Sequence, residues 1–227
     1  MKYTDFTMKE HGFVGHMAEP DEGSDRAVII IMGGEQSLLP GIKFAERFAD
    51  YGITGLGGYL APRAAAYDKR ITKVVAWSVF PCFQDVIVGV LPDGAKKAFY
   101  TLMKLHARGL LNFVFGMKAK KDPLIDWGLK HGMYAYEAKD AYEYACKLKL
   151  YDLEPVSDLI TQDMLIVGAN KDHFIDYRLV GREINMLKNV KSLTFRLFTD
   201  KEEAENHCNV GNGQLVLDEI CSWIERI

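Results

Sequence analysis

Residues 164–172 read MLIVGANKD. An unbroken run of apolar and small residues gives way at once to Asn170, Lys171 and Asp172. Such a run, bounded by a polar turn, reads as a strand covered on both faces. Working outward, residues 177–188 have helical spacing, 193–198 (LTFRLF) form the next strand, and 214–227 form an amphipathic helix. Upstream, 73–79 (KVVAWSV) is another buried strand. Gly57 and Gly58 open an alanine-rich helix over 59–67, with Pro62 near its start, where proline is tolerated. Residues 52–56 are short and strand-like, 41–51 are helical, and 27–32 (AVIIIM) are a β-branched strand bounded by Gly33 and Gly34. Residues 3–19 alternate loosely and predict a short hairpin at a sheet edge. Strands alternating with helices imply the α/β class, a mostly parallel sheet covered by helices on both faces.

The middle of the chain breaks this rhythm. Residues 85–150 have helical periodicity, many aromatics and no strong strand, and predict four or so helices inserted into the core. The expected division is a core of 1–84 with 151–227 and a helical cap of 85–150. Trp127, His131, Tyr134, Tyr136, Tyr142 and Tyr144 of the insertion either define a substrate pocket or pack the cap against itself. Lys118, Lys120 and Lys121 read as a solvated helix end.

Composition bounds the function. The 227 residues carry a net charge of -3, with no basic excess that would point to nucleic acid or to an anionic membrane. The stretch 109–117 is about half the length a membrane-spanning helix needs. The first ten residues have no apolar core of the signal-peptide kind. The four cysteines, Cys82, Cys146, Cys208 and Cys221, form no CxxC pair and read as reduced thiols of a cytoplasmic protein. No metal, cofactor, nucleic-acid or membrane partner is expected.

In open parallel sheets, ligands bind beyond the carboxyl ends of the strands. The loops to inspect are therefore 33–37, 55–58, 170–173 and 200–209. The last two contain Asp172 and His207. A carboxylate after one strand and a histidine after the next can meet at the sheet edge. There the carboxylate fixes the imidazole tautomer and stabilises the imidazolium formed during proton transfer. Acid before histidine, late in an α/β chain, is the order of a hydrolase triad.

Plainer readings stand beside this one. Asp172 could cap the following helix, although Asp176 fits that role better. His207 could be a solvated loop histidine. Glu202, Glu203, Glu205, His207 and Cys208 mix hard and soft ligands at irregular spacing, which argues against a metal site. Cys208 reads as a buried structural thiol. The glycine turn at 52–58 mimics a dinucleotide-binding loop, but no acid ends the following strand.

The stretches VGANKD (167–172) and FTDKEEAENHCNVGN (198–212) resemble the α/β-hydrolase superfamily. The second is similar to the histidine loop of the acyl-peptidase-like and FrsA-like hydrolases with helical caps. GGYLAPRAAAYDKRI (57–71) resembles the helix behind the nucleophile, and IIIMGG (29–34) the oxyanion loop. The resemblance implies a shortened α/β-hydrolase fold, Asp172 as triad acid and His207 as triad base. It also implies that Gly33 and Gly34 lie in the loop whose backbone N–H serves an oxyanion. The implied activity is hydrolysis of ester, amide or thioester bonds in a small-molecule or peptidic acyl substrate.

The chain departs from the family at the nucleophile. Aligned on GxSxG, residues 53–58 read ITGLGG, so Gly55 stands where the family has serine. Thr54 is the weak substitute, and Ser37, Ser78 and Cys208 are further candidates. Between residue 51 and the GGY helix the family has a further strand and helix. The resemblance thus implies a missing segment, with 52–56 filling the elbow strand's place, whether by natural deletion or as an artefact of the sequence. The bared neighbouring strand predicts edge pairing or a homodimer. The alternative is a catalytically inactive binding or interaction protein on the same fold.

Overall fold

The computed structural model describes residues 2–11, 15–19, 21–22, 57–89 and 91–227. The expected strands 27–32 and 52–56, the helix 41–51, and Gly33, Gly34, Ser37, Thr54 and Gly55 lie outside the described residues. The chain divides into two compact units, one of Met1–Phe80 with Leu153–Ile227 and one of Pro81–Asp152.

The first unit is built on a parallel sheet. Strands β3 (Lys73–Trp77), β4 (Asp163–Ala169) and β5 (Ser192–Phe198) lie in the order β3-β4-β5. Val75 pairs with Leu165, and Val167 with Arg196. Every residue of β4 is buried, as its unbroken apolar run predicts. β5 is only partly buried and alternates, which suits a strand with one paired side among the described residues.

Side chains alternate across a strand. On one face Val75, Trp77, Leu165 and Val167 meet Val216, Leu217, Ile220 and Trp223 of the C-terminal helix α9 (Gly213–Arg226). Those four helix residues recur at helical spacing, which is why 214–227 reads as amphipathic. Val74, Ala76, Met164 and Ile166 have the opposite parity and are equally buried. Helix α2 (Gly57–Tyr67) packs on β3, and α8 (Tyr177–Met186) on β4. Asp176 is the N-cap of α8, its carboxylate accepting from the Arg178 N–H.

The hairpin over 3–19 forms, as β1 (Lys2–Phe6) and β2 (Gly15–Glu19) around the short helix α1 (Met8–His11). Among the described residues β1 and β2 pair only with each other, and the strands expected over 27–32 and 52–56 lie outside them. One expectation needs correction. β3 stops at Trp77 rather than Val79. Ser78 turns into the left-handed region at φ 58°, so the strand cannot continue although the sequence stays apolar.

The second unit is helical: α3 (Phe83–Gly89), α4 (Asp93–Lys104), α5 (Arg108–Ala119), α6 (Pro123–Ala135) and α7 (Ala141–Leu148). Five helices fit the four or so expected from the periodicity. Val88, Phe99, Leu111 and Ala145 form its core. Tyr136 lies against Tyr144, Tyr151 and Phe83, with ring centroids 5.4–6.4 Å apart. Those aromatics pack the unit against itself, whereas Trp127 and Tyr134 are exposed.

Trp223 and Trp77 are the largest side chains in the sheet core, and the Trp223 Nε1–H donates to Thr194 Oγ1 at 3.0 Å. Trp223→Ala should destabilise the protein by about 3–5 kcal/mol. Urea unfolding followed by circular dichroism measures this, and a loss below about 1 kcal/mol would show that α9 does not seal the sheet.

Candidate active site

The C-terminal ends of β4 and β5 lie at one edge of the sheet because the strands are parallel and adjacent. The loops that leave them are stitched together by backbone. The Asn170 N–H donates to the Phe198 carbonyl at 3.0 Å, and the Lys171 N–H to the Glu205 carbonyl at 2.9 Å. Lys171 Nζ also pairs with Asp200 at 2.8 Å. A residue one step beyond Lys171 is thereby held beside the loop that carries His207.

That residue is Asp172. Its Oδ1 accepts from the N–H groups of Phe174 and Ile175, at 2.8 and 2.9 Å. Both carboxylate oxygens lie 2.9 Å from His207 Nδ1. Asp172 does not cap the following helix, a place taken by Asp176; its carboxylate closes a turn of its own loop and contacts His207. The Asp172 side chain is 2% exposed and that of His207 29%. Phe174 lies edge-on to the His207 ring, with centroids 4.9 Å apart, and His173 stands 5.9 Å away. The ring is thus fixed by a carboxylate at Nδ1 and an aromatic wall.

The histidine loop is strained locally and anchored from below. Glu203, Cys208 and Asn209 all have left-handed φ, at 57°, 53° and 52°. Asn209 is fully buried. Its Oδ1 accepts from Trp77 Nε1–H at 2.7 Å, and its Nδ2–H donates to the Ala204 carbonyl. This amide links the turn that holds His207 to the end of β3. Gly211 has φ 125°, and a Cβ there would lie 2.2 Å from the Glu203 carbonyl oxygen, so only glycine fits. Asn212 then caps α9, accepting from Leu215 N–H and donating to the Glu202 carbonyl. Glu202 itself pairs with Arg196 and closes a capping box with Thr199.

Burial alone would push the His207 imidazolium to lose its proton. The hydrogen bond to Asp172 and the sulfur of Cys208 outweigh it, and the group is pushed up to about 10. Cys208 thus corrects its sequence reading: it is half-buried and contacts the histidine, rather than being an inert buried thiol. Ser78 Oγ is buried and has no hydrogen-bond partner among the described residues. As placed, that hydroxyl is closed to a substrate.

A carboxylate at Nδ1 leaves Nε2 as the nitrogen that exchanges a proton. The arrangement can hold a proton near neutral pH and, once deprotonated, take one from a neighbouring O–H or S–H. Among the described residues no group of three or more His, Cys, Asp or Glu side chains is placed to hold a metal ion.

No family model and no curated protein matches the chain. Solved structures do match. The esterase Pf2001 of Pyrococcus furiosus, in space group P212121, aligns with a TM-score of 0.57 at 14% identity, covering 94% of this chain and 85% of that one. The same esterase in space group C2221 gives a TM-score of 0.52 at 14% identity, over 91% and 82%. The chain shares the α/β fold of that esterase, a mostly parallel sheet flanked by helices. At this identity the likeness is one of fold alone.

The ion pair makes stability depend on pH. His207 binds its proton more tightly in the folded state, about 10 against an ordinary 6.5. Its contribution is therefore complete below pH 6.5 and is lost as pH rises through about 10. The melting-temperature gap between wild type and His207→Gln should be constant at acidic pH and shrink across that window. A gap that widens with pH would contradict the assigned charge state.

Proposed function

We propose that the protein is a hydrolase of ester, amide or thioester bonds in a small-molecule or peptidic acyl substrate. The reading is carried by the 2.9 Å contacts between His207 Nδ1 and the Asp172 carboxylate, on loops that follow adjacent parallel strands. The α/β fold shared with the Pf2001 esterase supports it. His207 serves as base and then acid, and Asp172 orients it and stabilises the imidazolium. In the attack step the nucleophile's oxygen or sulfur bonds to the acyl carbon while its proton passes to His207 Nε2. In the collapse step that proton passes to the leaving group. Gly33 and Gly34 belong to the loop that would donate backbone N–H to the oxyanion. The helical unit would act as the cap that selects the substrate.

The nucleophile is the open role, since Gly55 stands in the serine's place. Thr54, Ser37 and Cys208 are the side chains to test. The same glycine favours a second reading, a binding protein that keeps the fold and the pair but has lost turnover through deletion of the elbow segment. Loss of the nucleophile leaves at most the residual rate that binding and the oxyanion site provide.

Hydrolysis of short-chain p-nitrophenyl esters separates the two. The hydrolase reading expects turnover above the buffer rate that disappears in His207→Ala. Asp172→Asn should lower it by about 10³–10⁴-fold, because the ring then loses its tautomer and its counter-charge. Since only the neutral imidazole accepts a proton, the rate should climb with pH from neutrality towards about 10. Turnover that survives His207→Ala, or none across an ester and thioester panel from a folded sample, would leave the binding-protein reading.

A further inference from the structure

The overall charge of -3 conceals one region of opposite sign. The hairpin of α4 and α5 with the two lysines that follow it, residues 93–121, contains seven Lys and Arg residues and a single acid, Asp93 at its first position. On the same hairpin, Leu110, Phe113, Val114 and Met117 are all exposed. Their spacing of three, four and seven residues places them in one stripe along α5. Phe113 is 63% exposed and Leu105, in the turn between the helices, 69%. Large apolar side chains this exposed, and this contiguous, mark an interaction surface.

The cations lie where they can flank that stripe. Lys120 and Lys121 follow directly from its C-terminal end and are exposed. Lys104 stands beside Leu105, and Lys97 lines a groove of about 490 Å³ together with Ala98, Thr101, Leu102, Leu110 and Val114. Among the described residues, Lys97, Lys104, Lys120 and Lys121 make no ion pair, whereas Lys96 is paired with Asp93 and Arg108 with Asp140. The hairpin therefore presents an apolar ridge with four uncompensated positive charges at its margins. The opposite side of α5 carries Leu111, which is spent on the core of its own unit.

We infer that the α4–α5 hairpin docks the protein on an anionic lipid surface, with Leu105, Leu110, Phe113 and Met117 entering the headgroup–acyl boundary. An amphipathic helix with lysines beside a Phe/Leu face is suited to lie in that interface. Among the described residues no helix is long and apolar enough to cross a membrane. Lipid fits better than other occupants. A second copy would bring two sets of unpaired lysines together across a two-fold axis. Phe113 and Leu105 protrude and need no complementary pocket in a fluid boundary, as they would on a protein partner. The lysines meet phosphatidylserine headgroups at about fivefold in partitioning for each. The inference is independent of the chemistry proposed for His207.

Sedimentation of the full chain with vesicles tests it. Binding should be strong to an equimolar mixture of phosphatidylserine and phosphatidylcholine and weak to phosphatidylcholine alone. It should fall sharply at about 1 M salt, where screening acts over ~3 Å. Lys120→Gln with Lys121→Gln should lower the partition coefficient by about 25-fold, and Phe113→Ser with Met117→Ser by at least about tenfold. These side chains are exposed, so the circular dichroism spectrum should not change. If the serine pair does lose helix, Leu105→Ser in the turn carries the apolar arm of the test. No binding to either vesicle, equal binding to both, or binding indifferent to these substitutions would overturn the inference. So would a dimer in solution that Phe113→Ser dissolves, or an acidic protein that competes the chain off vesicles without itself touching lipid.

Discussion

A strand buried on both faces between two parallel neighbours constrains everything built around it. β4 has no polar side to show to water, so helices must cover it above and below. Parallel neighbours cannot be joined by a tight turn, so each connection crosses back over a face of the sheet. All the strands then end at the same edge. Asp172 after β4 and His207 after β5 come into contact because of this geometry, although they lie 35 residues apart. The two backbone bonds between their loops set the distance, and the side chains complete it.

Much of this is legible in the sequence. The MLIVGA run reads as a central strand because a continuous apolar stretch leaves no face for solvent. The acid and the histidine stand out because each lies in the loop just past a strand's carboxyl end. The two nearby acids differ in what they touch: Asp176 caps α8 and pairs with Arg178, whereas Asp172 contacts the histidine. The latch beneath the site is not legible. Trp77 reads as one more apolar strand residue and Asn209 as one more loop amide, and no periodicity joins positions 132 residues apart. The end of β3 escapes for a related reason. Ser78 changes the backbone direction by its φ, and hydrophobic pattern carries no information about φ. Net charge misleads as well, since a sum over the chain hides a hairpin with a strong positive excess.

The two units reflect different ways of reaching a core. In the sheet unit, burial follows from strand parity and one amphipathic helix. In the helical unit, a small apolar centre is supplemented by tyrosines whose rings meet edge-on or tilted. Aromatic pairs of this kind add stability beyond the area they bury. The insertion can therefore be compact while leaving other large apolar side chains outward.

The buried amide of Asn209 has a final consequence. Its oxygen faces a donor on Trp77 and its nitrogen an acceptor at Ala204, so the group is used in one orientation only. Aspartate has the same shape but no donor. At this position it would set a carboxylate oxygen against the Ala204 carbonyl at a fully buried site. Two nearly isosteric side chains are thereby made sharply unequal, and the turn that carries the histidine depends on a residue that touches neither the imidazole nor its acid.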